Sequence, residues 1–150
     1  MDVGSGNTYP ASSLSNFAPH GFIFEGVECA SMEGFLQGLK FSNPDMQSHV
    51  CTLVGRAAKS KGSKKNWKRD QTLYWKGLPI KRDSEEYQKL LTNAFNALAT
   101  NNGFQRALLA SQNATLTHSM GRNKINETVL TEKEFCSQLH RLRNILKEQK

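Results

Sequence analysis

The chain has 150 residues, 37% hydrophobic and 22% charged, with a formal net charge of +7. That length suits one domain with an ordinary core, and no apolar run approaches the roughly 18 residues that span a bilayer. The first residues lack a basic start and an apolar core, so a secretory leader is not expected. Three cysteines without paired spacing, Cys29, Cys51 and Cys136, read as reduced buried thiols and point to a cytoplasmic protein. His20, His49, His118 and His140 show no ligand spacing, so neither a metal site nor a cofactor is expected.

Residues 1–12 are rich in Gly, Ser and Asn and read as a loose lead-in. Two short strands follow over about 21–24 and 27–30, turning at Glu25-Gly26. Ser31 stands where a helix N-cap belongs. The helix it opens runs to about Phe41. Met32, Phe35, Leu36 and Leu39 recur at core spacing. Glu33, Gln37 and Lys40 share a neighbouring polar face. Such a face suits a solvated surface or a first-turn carboxylate offsetting the helix dipole, and equally a site. Gly34 and Gly38, one turn apart, each cost about 1 kcal/mol relative to Ala. Their presence implies close approach by a ligand or another backbone.

Asn43-Pro44 starts a second helix, which passes through His49, Val50, Leu53 and Val54 and weakens at Gly55 or continues to about Lys59. Gly62-Ser63 reads as a loop. Between Arg56 and Arg69 lie Lys59, Lys61, Lys64, Lys65 and Lys68 with no acid, and Trp67 sits among them. This run suits phosphate or nucleic-acid binding and equally a solvated loop. Thr72 to Ile80 reads as a short hairpin or irregular crossing with Gly77 at its turn. Trp75 there suits the core better than base stacking. Ser84 caps the strongest amphipathic helix, with Tyr87, Leu90, Leu91, Ala94, Phe95 and Leu98 on one stripe and Gly103 at its end. A short helix covers 104–110. Thr115 to Ser119 reads as a strand returning to the early hairpin, with His118 as a core, rim or pocket residue and Gly121 in the loop after it. Thr131 and Glu134 form a capping box. The last helix buries Phe135, Leu139, Leu142 and Leu146, and Arg141, Arg143 and Lys147 make its other side basic.

The stretch Leu14-Ser15-Asn16-Phe17, the short hairpin, then Ser31-x-Glu33 and Gln37-x-x-Lys40 resembles the NADAR superfamily of YbiA-like proteins. The resemblance is dense over 13–41 and looser to about Arg143. It implies a single α+β domain, mostly helical, with a small hairpin or sheet beside several helices. It also implies an N-glycosidase that cleaves a ribose–nitrogen bond. The substrate would be ADP-ribose on a nucleobase, as in ADP-ribosylated DNA, or a ribosylated intermediate such as those of riboflavin synthesis. Glu33 falls on the family's catalytic glutamate. Ser15, Asn16, Phe17, Gln37, Lys40, Trp67, Trp75, His118 and Gly121 are the expected substrate-binding residues. The chain departs from the family pattern at Gly34, where a larger residue is usual, and at Gly38, where Ala is usual. It also lacks the late Trp-Gly motif, with His118 to Asn123 in its place. Two other readings remain: a binder that sequesters ADP-ribose or an NAD-derived nucleotide, and a basic nucleic-acid binder with a vestigial pocket. Oligomeric state is not legible.

Overall fold

A computed structural model describes residues 1–149. Two hairpins and six α-helices make up its regular structure, joined by one 3-10 turn at Ala11–Leu14. Strands β1 (Phe22–Phe24) and β2 (Val27–Cys29) pair antiparallel with Phe22 opposite Cys29. Their turn places Glu25 at φ +48° and Gly26 at φ +82°, the mirror-image turn that matches strand twist. The same device joins β3 (Thr72–Trp75) to β4 (Leu78–Lys81) through Lys76 and Gly77.

Helices α1 (Met32–Gly38), α2 (Pro44–Cys51) and α3 (Gly55–Ser63) pack together beside the hairpins. Helices α4 (Glu85–Leu98), α5 (Asn102–Ala110) and α6 (Glu132–Glu148) form the other half. Side-chain oxygens of Ser31, Asn43, Ser84, Asn101 and Thr131 each accept a hydrogen bond from a first-turn amide of the helix that follows. One continuous core joins the halves, with Phe35, Leu39, Leu91, Phe95, Phe104 and Leu139 among its most buried members. The fold is therefore α+β and mostly helical.

Several expectations require correction. The expected lead-in is anchored at its start: Asp2 bridges Thr117, and Val3 is fully buried. Backbone bonds run from Val3 N to Thr117 O and from Thr117 N to Met1 O. The 115–119 segment thus meets the N-terminal residues rather than the early hairpin. Helix α2 stops at Cys51, and Gly62 and Ser63 lie inside α3 rather than in a loop. Gly55, at φ +52°, turns the chain between these helices. Gly103 lies within α5, because Asn101 caps a new helix there. Arg143 turns inward and donates from Nη1 to Ser111 Oγ at 2.9 Å.

Cys29, Cys51 and Cys136 are buried free thiols. Neighbouring Cys51 and burial push the Cys29 thiol well up. Among the described residues no cluster of three His, Cys, Asp or Glu could hold a metal ion, and no helix is long and apolar enough to cross a membrane.

Candidate functional site

Helix α1 is buried along its whole length, including its polar face. Its entry is fixed from two sides. Ser31 Oγ accepts from Gly34 N at 3.0 Å and donates to Leu53 O at 3.1 Å. The backbone N of Glu33 donates to Asn16 O at 3.0 Å. The Leu14-Ser15-Asn16-Phe17 stretch therefore lies across the start of the helix, as the family resemblance implied. Ser15 Oγ accepts from Phe17 N at 3.1 Å and shapes that loop. Phe17 is half-buried against Gly55, where an added Cβ would stand 3.7 Å from its ring. The Asn16 side-chain amide makes no hydrogen bond to the described residues, and the residue is half-buried.

Glu33 is 8% exposed. Gln37, one turn on, donates from Nε2 to Glu33 Oε2 at 2.6 Å. Among the described residues no arginine or lysine bonds this carboxylate directly. Burial raises its pKa above the usual carboxylate range. The Gln37 hydrogen bond and the charges of Lys59, Lys40 and His118 oppose that rise without cancelling it. Lys40 is half-buried, and its pKa is lowered by burial, with Glu33 opposing and Lys68 and Lys59 adding to the fall. Positive charge near this carboxylate comes from Lys40, just past α1, Lys59 of α3 and His118.

His118 approaches from the other half of the chain. Its Nδ1 lies 2.7 Å from Val3 O, its backbone N donates to Glu132 Oε2 at 2.7 Å, and its ring stands edge-on to Phe135 at 5.2 Å. A side chain at Gly121 would come within 2.7 Å of the imidazole Cδ2, so Gly121 provides clearance for that ring. With Nδ1 donating to a carbonyl, the neutral ring keeps its lone pair on Nε2.

The two tryptophans stand apart from this group. Trp67 is 7% exposed and belongs to the core, while Lys65 lies over the Phe41 ring at 5.1 Å. Trp75 packs on Phe24 at 5.2 Å and Phe35 at 5.4 Å, and its Nε1 donates to Glu25 Oε1. Both rings are buried in the hydrophobic core. Gly34 and Gly38 also find their explanation inside the fold. An added Cβ at 34 would stand 2.5 Å from Leu53 O and 2.7 Å from Cys51 O, and one at 38 would stand 2.9 Å from Cys51 Sγ. Both face α2 and the turn after it. A recess of about 370 Å³ lies over the β1–β2 hairpin, lined by Phe22, Cys29 and Thr52 among others.

The profile of the bacteriophage protein GP30.3 family matches residues 8–144. The chain belongs to that family. It is 39% identical over 150 residues to an uncharacterized 17.1 kDa protein in the Gp30-rIII intergenic region of enterobacteria phage T4, a match covering 97% of this chain and 98% of that protein. Its fold is similar to the NMR structure of the E. coli protein YbiA, with a TM-score of 0.62 and 15% identity over 97% of this chain and 83% of that one. The GP30.3-family chain thus carries a YbiA-like fold.

Two contributors escaped the sequence reading of the site. Gly62 passed for a loop residue because α3 has two glycines and no side-chain cap. Val3 passed for a lead-in residue because only its tertiary partner, the 117–118 backbone, gives it a role.

Proposed function

We propose that this protein is an N-glycosidase and that Glu33 is its catalytic carboxylate. The observation that carries the reading is a glutamate almost wholly buried without a cationic hydrogen-bond partner, surrounded by Lys40, Lys59 and His118. Burying such a group costs several kcal/mol unless something offsets it, and a purely structural role has little use for it. Cleavage of a ribose–nitrogen bond builds positive charge on the sugar, as O-glycoside cleavage does. An ionised Glu33 steadies that charge and takes a proton from the water that adds to the anomeric carbon. The departing nitrogen needs a proton, and His118 Nε2 supplies it when the ring is charged. Lys40, Lys59 and Lys68 suit the diphosphate of an ADP-ribosyl group. Asn16 suits ribose hydroxyls or a base edge, and Phe17 suits the base face. The substrate class is ADP-ribose on a nucleobase, alone or within DNA, or a ribosylated intermediate of similar chemistry.

Glu33→Gln tests this. The shape is kept and the charge removed, so base release from an ADP-ribosylated nucleobase should fall at least about 100-fold. Affinity for ADP-ribose should hold or rise. A folded variant with wild-type turnover would remove Glu33 from the chemistry, and one that binds equally while neither form turns over would identify a sequestering protein.

A further inference from the structure

Two glutamines of the α1–α2 layer are buried, and they differ. Gln47 is fully used: its Nε2 donates to Gly38 O at 3.0 Å and Tyr74 O at 2.7 Å, and its Oε1 accepts from Lys76 N at 2.9 Å. Gln37 is 7% exposed, spends its Nε2 on Glu33, and leaves Oε1 buried without a partner. An orphan acceptor costs about 1–3 kcal/mol, so packing alone would favour an apolar residue there.

The orphan oxygen lies against Gly62 of α3. A Cβ at position 62 would fall on Gln37 Oε1 itself, with the amide carbon 2.7 Å and Gln37 Cβ 3.0 Å away. Among the described glycines no other meets a side chain so closely. Glycine in a helix interior is otherwise a loss relative to Ala. The orientation of the amide also follows: reversing it would set its oxygen against an ionised Glu33. One carboxylate oxygen, Oε2, is thereby committed to Gln37, while Glu33 Oε1 accepts no hydrogen bond from the described residues.

We propose that Gly62 is a positioning residue for the candidate catalytic site: its bare Cα leaves the space in which the Gln37 amide is locked against Glu33, so that one carboxylate oxygen is held and the other is left free for substrate or water. The functional meaning of this arrangement rests on the glycosidase reading, but the arrangement can be tested without any substrate. Gly62→Ala displaces the amide, and Glu33 then loses its hydrogen bond while staying buried. The charged groups facing Glu33 from α1, α3 and the 118 segment, namely Lys40, Lys59 and His118, are left in place.

The experiment is a carbon-13 titration of the Glu33 carboxyl in wild type, Gly62→Ala and Gln37→Met, beside melts of Gly62→Ala in the wild-type and Gln37→Ala backgrounds. Loss of a hydrogen bond to a charged group should move the Glu33 midpoint up by about one pH unit or more in both single variants. Gly62→Ala should lower Tm clearly more in the wild-type background than where Gln37 is already Ala, since the clash with the amide is then gone and only the 3.0 Å approach to the Cβ of residue 37 stays, against a gain in helix propensity. If Gly62→Ala does not fold alone, the Gln37→Met titration and the melt in the Gln37→Ala background carry the test. An unchanged Glu33 midpoint in Gln37→Met, or in a folded Gly62→Ala, overturns the proposal, as does equal destabilisation by Gly62→Ala in both backgrounds. A shifted midpoint with Glu33→Gln still fully active would instead retain the positioning and end the glycosidase reading.

Discussion

Glu33 in the α1–α3 layer and Glu134 at the start of α6 are both glutamates withdrawn from water, and they are treated in opposite ways. Glu134 receives a fork from Arg82, whose Nη2 and Nη1 donate to its two oxygens at 2.6 and 3.1 Å. Thr131 N adds a third bond and Gln88 Nε2 a fourth. Arg82 is itself buried, donates from Nε to Thr128 O, and lies over the Tyr87 ring at 4.8 Å. Burial would raise the Glu134 pKa, but the Arg82, Thr131 and Gln88 bonds outweigh it and hold the carboxyl low. At Glu33 burial prevails, because among the described residues one amide is its only hydrogen-bond donor. The first arrangement stabilises a fold, clamping the 128–134 segment to α4. The second leaves a buried carboxylate with one hydrogen bond among the described residues.

Removing the cation from the satisfied site should have the largest effect on stability. Arg82→Met leaves Glu134 buried without its counter-ion and should cost about 3–5 kcal/mol, read as a lower denaturant midpoint. A loss below about 1 kcal/mol would mean that the fork contributes little and the contrast with Glu33 is weak.

A smaller effect is expected where the functional layer is packed against backbone. Gly34→Ala should cost about 1–3 kcal/mol, since its Cβ would meet the Leu53 and Cys51 carbonyl oxygens, which cannot move independently of the chain. Gly38→Ala would meet Cys51 Sγ at 2.9 Å and the Gln47 carbonyl oxygen at a looser 3.3 Å, so its gain of about 1 kcal/mol in helix propensity offsets part of the crowding. Equal losses at both positions, by urea melts, would refute the distinction between a fixed and a yielding neighbour.

The smallest and sharpest expectation is a difference in pH dependence. Glu134, lowered on folding, contributes stability that is present above its unfolded pKa and lost as pH falls through its folded pKa. Glu33, raised on folding, has the opposite sign. Its contribution is present below the unfolded pKa and lost as pH rises through the folded one. Glu33→Gln should therefore leave stability unchanged or higher at neutral pH and remove that gain in acid, while Glu134→Gln should destabilise at neutral pH and converge on wild type in acid. Melts at pH 7 and about pH 4 decide it; parallel behaviour of the two variants would erase the comparison.

Much of the frame was written locally. The Glu25-Gly26 turn, the caps at Ser31, Asn43, Ser84 and Thr131, and the apolar stripes of α4 and α6 depend on neighbours within one or two turns of chain, so spacing reveals them. The polar face bearing Glu33, Gln37 and Lys40 was legible for the same reason. Whether that face met water or a cleft was not, since the answer lies in α3 and in the 115–121 segment. Trp67 and Trp75 show the same limit: an aromatic ring suits a ligand or a core, and only its surroundings choose. Gly62 is the clearest case. Alone it signals a break in a helix, and its purpose exists only once Gln37, 25 positions earlier in the chain, lies against it. Periodicity therefore determined which residues could share a face, while tertiary packing, which brings distant residues into contact and excludes water from them, decided which polar face was buried.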